Sequence, residues 1–145
     1  MVIQFAIGSG LIVLTVVIAT VLMSVALEVF YAARAVLFEV RPIARSTAAL
    51  SVMTLSTVVV LTIVMWMWAL ALWGLGAADG LEAAIEVTML AFTTLGGGEQ
   101  DLADDWALLP GFIGTGGFIL FGLSTAFMFE AVSEIRSGHR QRRGE

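Results

Sequence analysis

The residues best suited to chemistry lie in one stretch near the middle of the chain. The stretch reads Thr93-Thr94-Leu95-Gly96-Gly97-Gly98-Glu99. Hydroxyl and backbone carbonyl oxygens can replace the water around a cation. Consecutive glycines open backbone conformations that are closed to other residues, so that successive carbonyls can point one way. The stretch therefore predicts an ion-coordinating segment, although a flexible turn is the ordinary alternative for three glycines.

Acidic residues surround this stretch. The segment from Ala77 to Trp106 contains neither Arg nor Lys and carries seven acidic residues, which are Asp79, Glu82, Glu86, Glu99, Asp101, Asp104 and Asp105. A surplus of negative charge raises the local concentration of cations. We expect Glu99 and Asp101 at the outer mouth of an ion path, while a merely solvated acidic loop is the alternative.

The chain has few residues that could support other kinds of chemistry. Cysteine is absent, which excludes disulfides, thiolate metal sites and thiol catalysis. The only histidine, His139, lies in a basic tail, so the apolar part offers no Ser, His and Asp arrangement. We therefore expect no enzyme activity and no organic cofactor.

The composition indicates that lipid is the solvent of this protein. Hydrophobic residues make up 59% of the 145 residues and charged residues only 13%, with a mean hydropathy of +0.99. A soluble domain carries about 25% charged residues. Three apolar runs, residues 2–27, 48–75 and 108–132, are each long enough to span a bilayer, which takes about 20 helical residues. The first run lacks the basic start of a signal peptide and exceeds its usual length.

A fourth element, Leu81–Phe92, reads as a helix that is too short to span. Acidic residues in its first turns favour a helix start there, because the amino end of a helix dipole is positive. We expect this helix to enter the membrane and the chain to return through residues 93–99. Lipid would leave the carbonyls of that return unpaired, so they need protein or a water-filled path around them.

The charges predict the orientation. All seven Arg residues lie in two places, residues 34–45 and 136–143, and Lys is absent. Positive residues favour the cytoplasmic side. With three spans, we expect the N-terminus outside, the Arg-containing loop inside, the acidic segment outside and the C-terminus in the cytoplasm.

The stretch from Met89 to Glu99 resembles the pore helix and filter of potassium channels, whose filter commonly reads T-[VL]-G-Y-G-D. Residues 121–126, Phe-Gly-Leu-Ser-Thr-Ala, are similar to the inner helix of small prokaryotic channels. The resemblance covers residues 48–132. It implies an all-α membrane protein with a re-entrant pore helix, assembled as a homotetramer around one pore in the inner membrane of a prokaryotic cell.

The resemblance also implies which residues bind the ion. The filter would comprise Thr93, Thr94, Leu95, Gly96, Gly97 and Gly98, with potassium or sodium at the carbonyls of Thr94, Leu95, Gly96 and Gly97. Glu86 and Phe92 would support the filter from behind. Gly97 stands where the family has an aromatic residue that holds the filter at one width, so we expect only weak selectivity between potassium and sodium.

The inner helix offers a candidate pore lining. Gly117 stands where the family has a bending glycine, and close packing by a small residue is the alternative. A face at helical spacing continues through Phe121, Thr125 and Phe129. A ring of Phe129 side chains could gate by dewetting, whereas a packing or lipid-facing aromatic is the alternative.

The predicted organisation has four parts. They are an extra membrane helix (1–30), a cytoplasmic linker (31–47), a pore domain (48–132) and a basic tail (133–145). The first span has no Arg or Lys and so cannot be an Arg-rich voltage sensor. We expect a passive cation channel in contact with membrane lipids and not with nucleic acid. The alternative is a non-conducting scaffold or accessory protein with the same fold.

Overall fold

The computed structural model describes residues 1–37, 42–96 and 102–141. These residues form four α-helices, which are α1 (Val2–Leu37), α2 (Pro42–Gly74), α3 (Leu81–Phe92) and α4 (Leu109–Gln141). Three of the helices are long and apolar enough to cross a membrane, over Val2–Val29, Leu50–Gly74 and Leu109–Glu130. The predicted all-α class is therefore confirmed, and three helices have the length and apolar composition that the predicted spans require.

The helix bounds agree with the sequence only where a helix ends at a clear breaker. The predicted short helix, Leu81–Phe92, is confirmed. α1 and α4 continue to Leu37 and Gln141, beyond the predicted ends at 30 and 132. Hydropathy marks where lipid contact stops, whereas a helix continues through polar residues with good helix propensity. The expected linker 31–47 is thus largely helical, and α2 begins at Pro42, because proline suits the first position of a helix.

α1 and α4 run in the same direction, and α2 runs against them. Near the starts of α1 and α4, the rings of Phe5 and Phe112 meet edge to face with centroids 5.2 Å apart. Further along, Leu27 and Glu130 line one cleft between the same two helices. The start of α1, the end of α2 and the start of α4 therefore lie at one end of the molecule.

A buried indole joins the three long helices. Trp68 of α2 has no exposed surface, and its Nε1–H donates a hydrogen bond of 3.0 Å to the hydroxyl of Thr15 in α1. Gly116 of α4 packs on the same ring, since a Cβ added there would lie 3.7 Å from the indole. An indole N–H in an apolar interior needs such a partner, so this bond sets how α1 sits on α2.

The short helix α3 packs against both α2 and α4. Its buried side chains are Ala84, Val87, Thr88 and Phe92. The chain enters and leaves this region at one place, because Ala78 pairs with Leu102 and the N–H of Ala103 donates to the carbonyl of Ala77 (3.0 Å). The segments before α3 and before α4 therefore lie side by side.

Candidate functional site

The carboxyl end of α3 lies against the first half of the spanning part of α4. A Cβ added at Gly117 would clash with the carbonyl oxygen of Phe92, and one added at Gly114 would lie 3.1 Å from that of Ala91. Glycines at these positions let the two backbones approach closely. Gly117 lies about two turns, or about 12 Å, past the start of α4 at Leu109. The apolar span Leu109–Glu130 has 22 residues and a length of about 33 Å, so the last residues of α3 lie about a third of the way into it.

A Schellman motif ends α3 at that depth. The N–H of Leu95 donates to the carbonyl of Leu90 at 2.9 Å, and the N–H of Thr94 donates to the carbonyl of Ala91 at 3.0 Å. These two bonds define the motif. The N–H of Gly96 also reaches the carbonyl of Leu90, at 3.3 Å. The amides of the turn are thus used within the chain, and the carbonyls of Leu90 and Ala91 have partners.

Two residues of the turn adopt left-handed backbone conformations. Thr94 has φ 59° and Gly96 has φ 70°. The left-handed position of a Schellman motif is usually glycine. A β-branched residue there is an outlier, with a cost of roughly 1–2 kcal/mol. Such strain persists where the surrounding structure holds it, and it clusters at binding and catalytic sites.

The carbonyls that follow have no backbone partners. Among the residues that the structure describes, no backbone amide donates to the carbonyls of residues 92–96. The side chains of residues 93–96 are exposed, and the hydroxyl of Thr93 donates to the carbonyl of Met89 at 2.6 Å. Hydrocarbon cannot hydrogen-bond these oxygens. They can accept from water or from another chain, or they can coordinate a cation.

Two residues, Phe92 and Glu86, were predicted to support residues 93–98, and the structure places them differently. Phe92 is buried, and its ring meets that of Phe121 edge to face with centroids 5.9 Å apart. This contact fixes the last turn of α3 on α4. Glu86, in contrast, is exposed on α3. The apolar contact of Phe92 with α4 is consistent with a supporting role, whereas Glu86 makes no buried contact within one chain.

The four predicted inner-helix residues differ in exposure. Phe121, Thr125 and Phe129 are exposed on α4, while Gly117 is buried against the backbone of Phe92. The hydroxyl of Thr125 donates to the carbonyl of Phe121, as is common in membrane helices. The position of Gly117 favours the close-packing alternative over a hinge.

Several predicted site residues lie outside the described residues. They are Gly97, Gly98, Glu99 and Asp101. Within the described ranges, no group of three or more His, Cys, Asp or Glu side chains could hold a metal ion.

Sequence reasoning missed the contacts that hold this site. The bond between Trp68 and Thr15 has no signature in the sequence, because both residues lie in uniformly apolar runs. The glycines at 114, 116 and 117 did carry a signal, since small residues in a span indicate close helix contacts. That signal does not say which helix each glycine meets.

Comparison with protein-family models, with curated proteins and with solved structures found no match to this chain. The class is therefore defined by the fold and the site themselves. The chain is an all-helical integral membrane protein with three helices able to span. Its short additional helix ends against the first half of the third span, about 12 Å from the start of that span.

Proposed function

We propose that this protein is the subunit of a passive channel for monovalent cations, with residues 93–98 as its filter. One observation carries the proposal. The described backbone from Phe92 to Gly96, whose carbonyls accept from no described backbone amide, begins about a third of the way into the apolar span of α4. Non-helical backbone at membrane depth is tolerated only where protein buries it or where it lines a water-filled path.

The geometry around α3 fits a re-entrant helix. Ala78 and Leu102, on either side of the segment, are paired at one end of the molecule. Phe92 lies about two turns further in, beside Gly117. A chain that goes in and comes back on the same side has this arrangement. The negative end of the α3 dipole then faces the membrane interior, where it favours a cation.

The end of the molecule at which this segment starts is acidic. Asp79, Glu82, Glu86 and Asp105 are exposed there and on α3. Exposed carboxylates raise the concentration of cations at an entrance and lower that of anions. This charge supports the selection of cations, but it does not discriminate potassium from sodium.

A ring of carbonyls needs several copies of the chain. α4 has an exposed stripe that repeats at steps of four and three residues, which consists of Gly111, Thr115, Phe118, Gly122, Thr125 and Phe129. A Cβ added at Gly111 or Gly122 would meet nothing within 4 Å. Four of these six residues are glycine or threonine, and small residues in a membrane helix suit close contact with another helix. This stripe supports assembly through α4, and the proposed tetramer follows from the resemblance of the filter.

Selectivity is proposed to be weak. Gly97 has no ring to pack behind the filter, and three glycines in a row leave the backbone free to change width. Potassium and sodium differ mainly in the cavity and coordination that they need. A filter of variable width should therefore conduct both ions.

The test is ion flux into liposomes that contain the purified protein, with potassium and sodium gradients applied separately. Flux of both ions is expected. Flux of potassium alone would contradict weak selectivity and leave the channel standing. A folded protein that passes neither ion would contradict conduction and favour the non-conducting scaffold.

A substitution at Gly97 tests the filter assignment more directly. Gly97→Tyr should raise the ratio of potassium to sodium flux, because the ring restores the packing that the family uses. Gly80→Tyr is the matched control. Gly80 has extended backbone before α3, and an added Cβ there meets nothing within 4 Å. Equal flux ratios for the two variants would contradict the assignment of residues 93–98 as the filter.

A further inference from the structure

A cleft opens between α2 and α3 at membrane depth. It has a volume of about 300 Å³ and is lined by Thr62, Met65, Trp66, Ala69, Ile85, Thr88 and Met89. Thr62 lies about three turns before the end of α2 at Gly74. None of the lining residues is charged. Water is therefore an unsuitable occupant, and lipid is the medium in front of the cleft.

The lining residues form a rim and a floor. Trp66 and Met89 are 48% and 51% exposed and form the rim, whereas Ala69 and Thr88 are 2% and 1% exposed and form the floor. Methionine side chains are flexible and adapt to guests of different shapes. Met65 and Met89 therefore let the cleft widen around an elongated guest.

The floor contains an unusual hydroxyl. The hydroxyls of Thr20, Thr54, Ser56, Thr57, Thr62, Thr93, Thr115 and Thr125 each donate to the carbonyl four residues earlier. That of Thr88 is buried and has no hydrogen-bond partner within the described residues. A buried polar group without a partner is destabilising by about 1–3 kcal/mol, so a guest that pairs with it gains affinity.

We propose that this cleft binds a neutral amphiphile from the membrane, namely an apolar chain that carries one hydrogen-bonding group such as an alcohol. The chain lies along Met65, Ile85 and Met89, and the polar group pairs with Thr88. A pure hydrocarbon leaves the Thr88 hydroxyl unpaired. A charged headgroup has no counter-charge in the lining. Binding does not depend on whether the protein conducts ions.

Trp66 provides the readout, because bromine quenches the fluorescence of a nearby indole. The full-length protein in detergent micelles is titrated with 6-bromohexan-1-ol and, separately, with 1-bromohexane. We expect quenching that saturates with both probes. Saturation should occur at a lower mole fraction of the alcohol than of the alkane. Trp66→Phe should remove the saturable part, because the remaining indoles do not line the cleft. Quenching that stays linear for both probes would indicate partition into the micelle only and overturn the proposal.

Two threonines of the same cleft make a matched pair. Thr88→Val removes the unpaired hydroxyl at nearly constant volume and should weaken binding of the alcohol about two- to tenfold, with no change for the alkane. Thr62→Val should change neither, because the Thr62 hydroxyl already donates to the carbonyl of Val58 at 2.8 Å. Equal effects of the two substitutions would overturn the role of Thr88.

Two further outcomes are informative. Thr88→Ser keeps a hydroxyl and should therefore keep the preference for the alcohol. Loss of that preference in Thr88→Ser would overturn the role of Thr88 even if Thr88→Val does not fold. Absence of saturable quenching by both probes in the native protein would mean that the cleft is closed, for example by a second copy of the chain. That outcome would overturn the proposed amphiphile site.

Discussion

Thr94 combines a β-branched side chain with a left-handed backbone, a pairing that folding alone does not favour. Its φ of 59° closes the Schellman motif at the end of α3. Glycine would serve that turn without strain. A threonine in this strained position is a reason to look for a role of its side chain or its rigid backbone at the proposed filter.

We predict that Thr94→Gly stabilises the protein and impairs its function. Glycine relieves the left-handed strain, which stabilises the folded protein, but its greater backbone freedom also stabilises the unfolded chain. The net effect should raise the free energy of unfolding by about 0.5–1 kcal/mol. Thermal unfolding in detergent measures the first effect, and liposome flux measures the second. Thr93→Gly is the control, since Thr93 has φ −86° and should only lose stability. Lower stability for Thr94→Gly would contradict the strain.

Gly117 is the residue at which the α3 and α4 backbones come closest. Gly117→Ala should destabilise the protein by about 1–3 kcal/mol, because the new methyl group meets the carbonyl oxygen of Phe92. Gly10→Ala in α1 should be neutral or stabilising, because nothing lies within 4 Å of an added Cβ there and alanine favours the helix. The two unfolding midpoints, compared in one detergent, check the prediction. A tolerated Gly117→Ala would mean that α3 does not rest on α4.

At the scale of the element, α1 is part of the fold and not a loose appendage. It packs against both α2 and α4. In the membrane such contacts come from close packing and from a few polar bonds, since lipid is as apolar as the helices. The bond from Trp68 to Thr15 is the polar bond between α1 and α2 that the described residues show in a buried position.

A double-mutant cycle should detect this bond. Thr15→Val leaves the buried indole N–H without a partner and should destabilise the protein by about 1–3 kcal/mol. Once Trp68→Phe has removed that N–H, Thr15→Val should cost less, with a coupling of about 0.6–1.7 kcal/mol. Thermal unfolding of the four proteins in detergent provides the numbers. Additive effects would mean that α1 is held by packing alone.

The short helix was predictable because its sequence has sharp ends. Gly80 precedes it, and a glycine-rich stretch follows it. No glycine or proline stands at the predicted ends of α1 and α4, residues 30 and 132, so these helices run on past the apolar part. The end of a helix can thus be predicted where the residue types change their backbone preference. It cannot be predicted where only the hydropathy changes.

At the scale of the whole molecule, the chain has two ends with different charge. Residue 3 and the acidic segment lie at the same end, because the side-chain amide of Gln4 donates to the carbonyl of Asp105. The Arg-rich parts of the sequence belong to the other end of α1 and α4. This arrangement is the one that a three-span topology requires.

Labelling of single cysteines in intact cells should reveal the sidedness. The chain has no cysteine of its own, so each introduced thiol is unique. Ile3→Cys and Asp79→Cys should react with a membrane-impermeant maleimide from outside, and Ser137→Cys only after the cells are opened. Reaction of residues 3 and 79 from opposite sides would contradict the fold. A reversed pattern would contradict only the orientation.

What the sequence determined by itself is where the membrane lies along the chain. Long apolar runs are easily distinguished from charged segments in the sequence. A span needs about 20 apolar residues, and the charges must remain in water. The same reasoning found α3 and the glycine-rich stretch after it. The ion-coordinating interpretation of that stretch also came from residue types, and it remains a proposal.

Only the tertiary structure decided which side of each span faces protein. In a soluble helix the buried face is apolar and the other face is polar, so the period of the pattern reveals the core. In lipid both faces are apolar, and this contrast disappears. The sequence therefore could not separate Gly117, which packs on Phe92, from the exposed Thr125 and Phe129. It could not reveal the unpaired hydroxyl of Thr88 either, because a hydrogen-bond partner is a fact of three-dimensional distance.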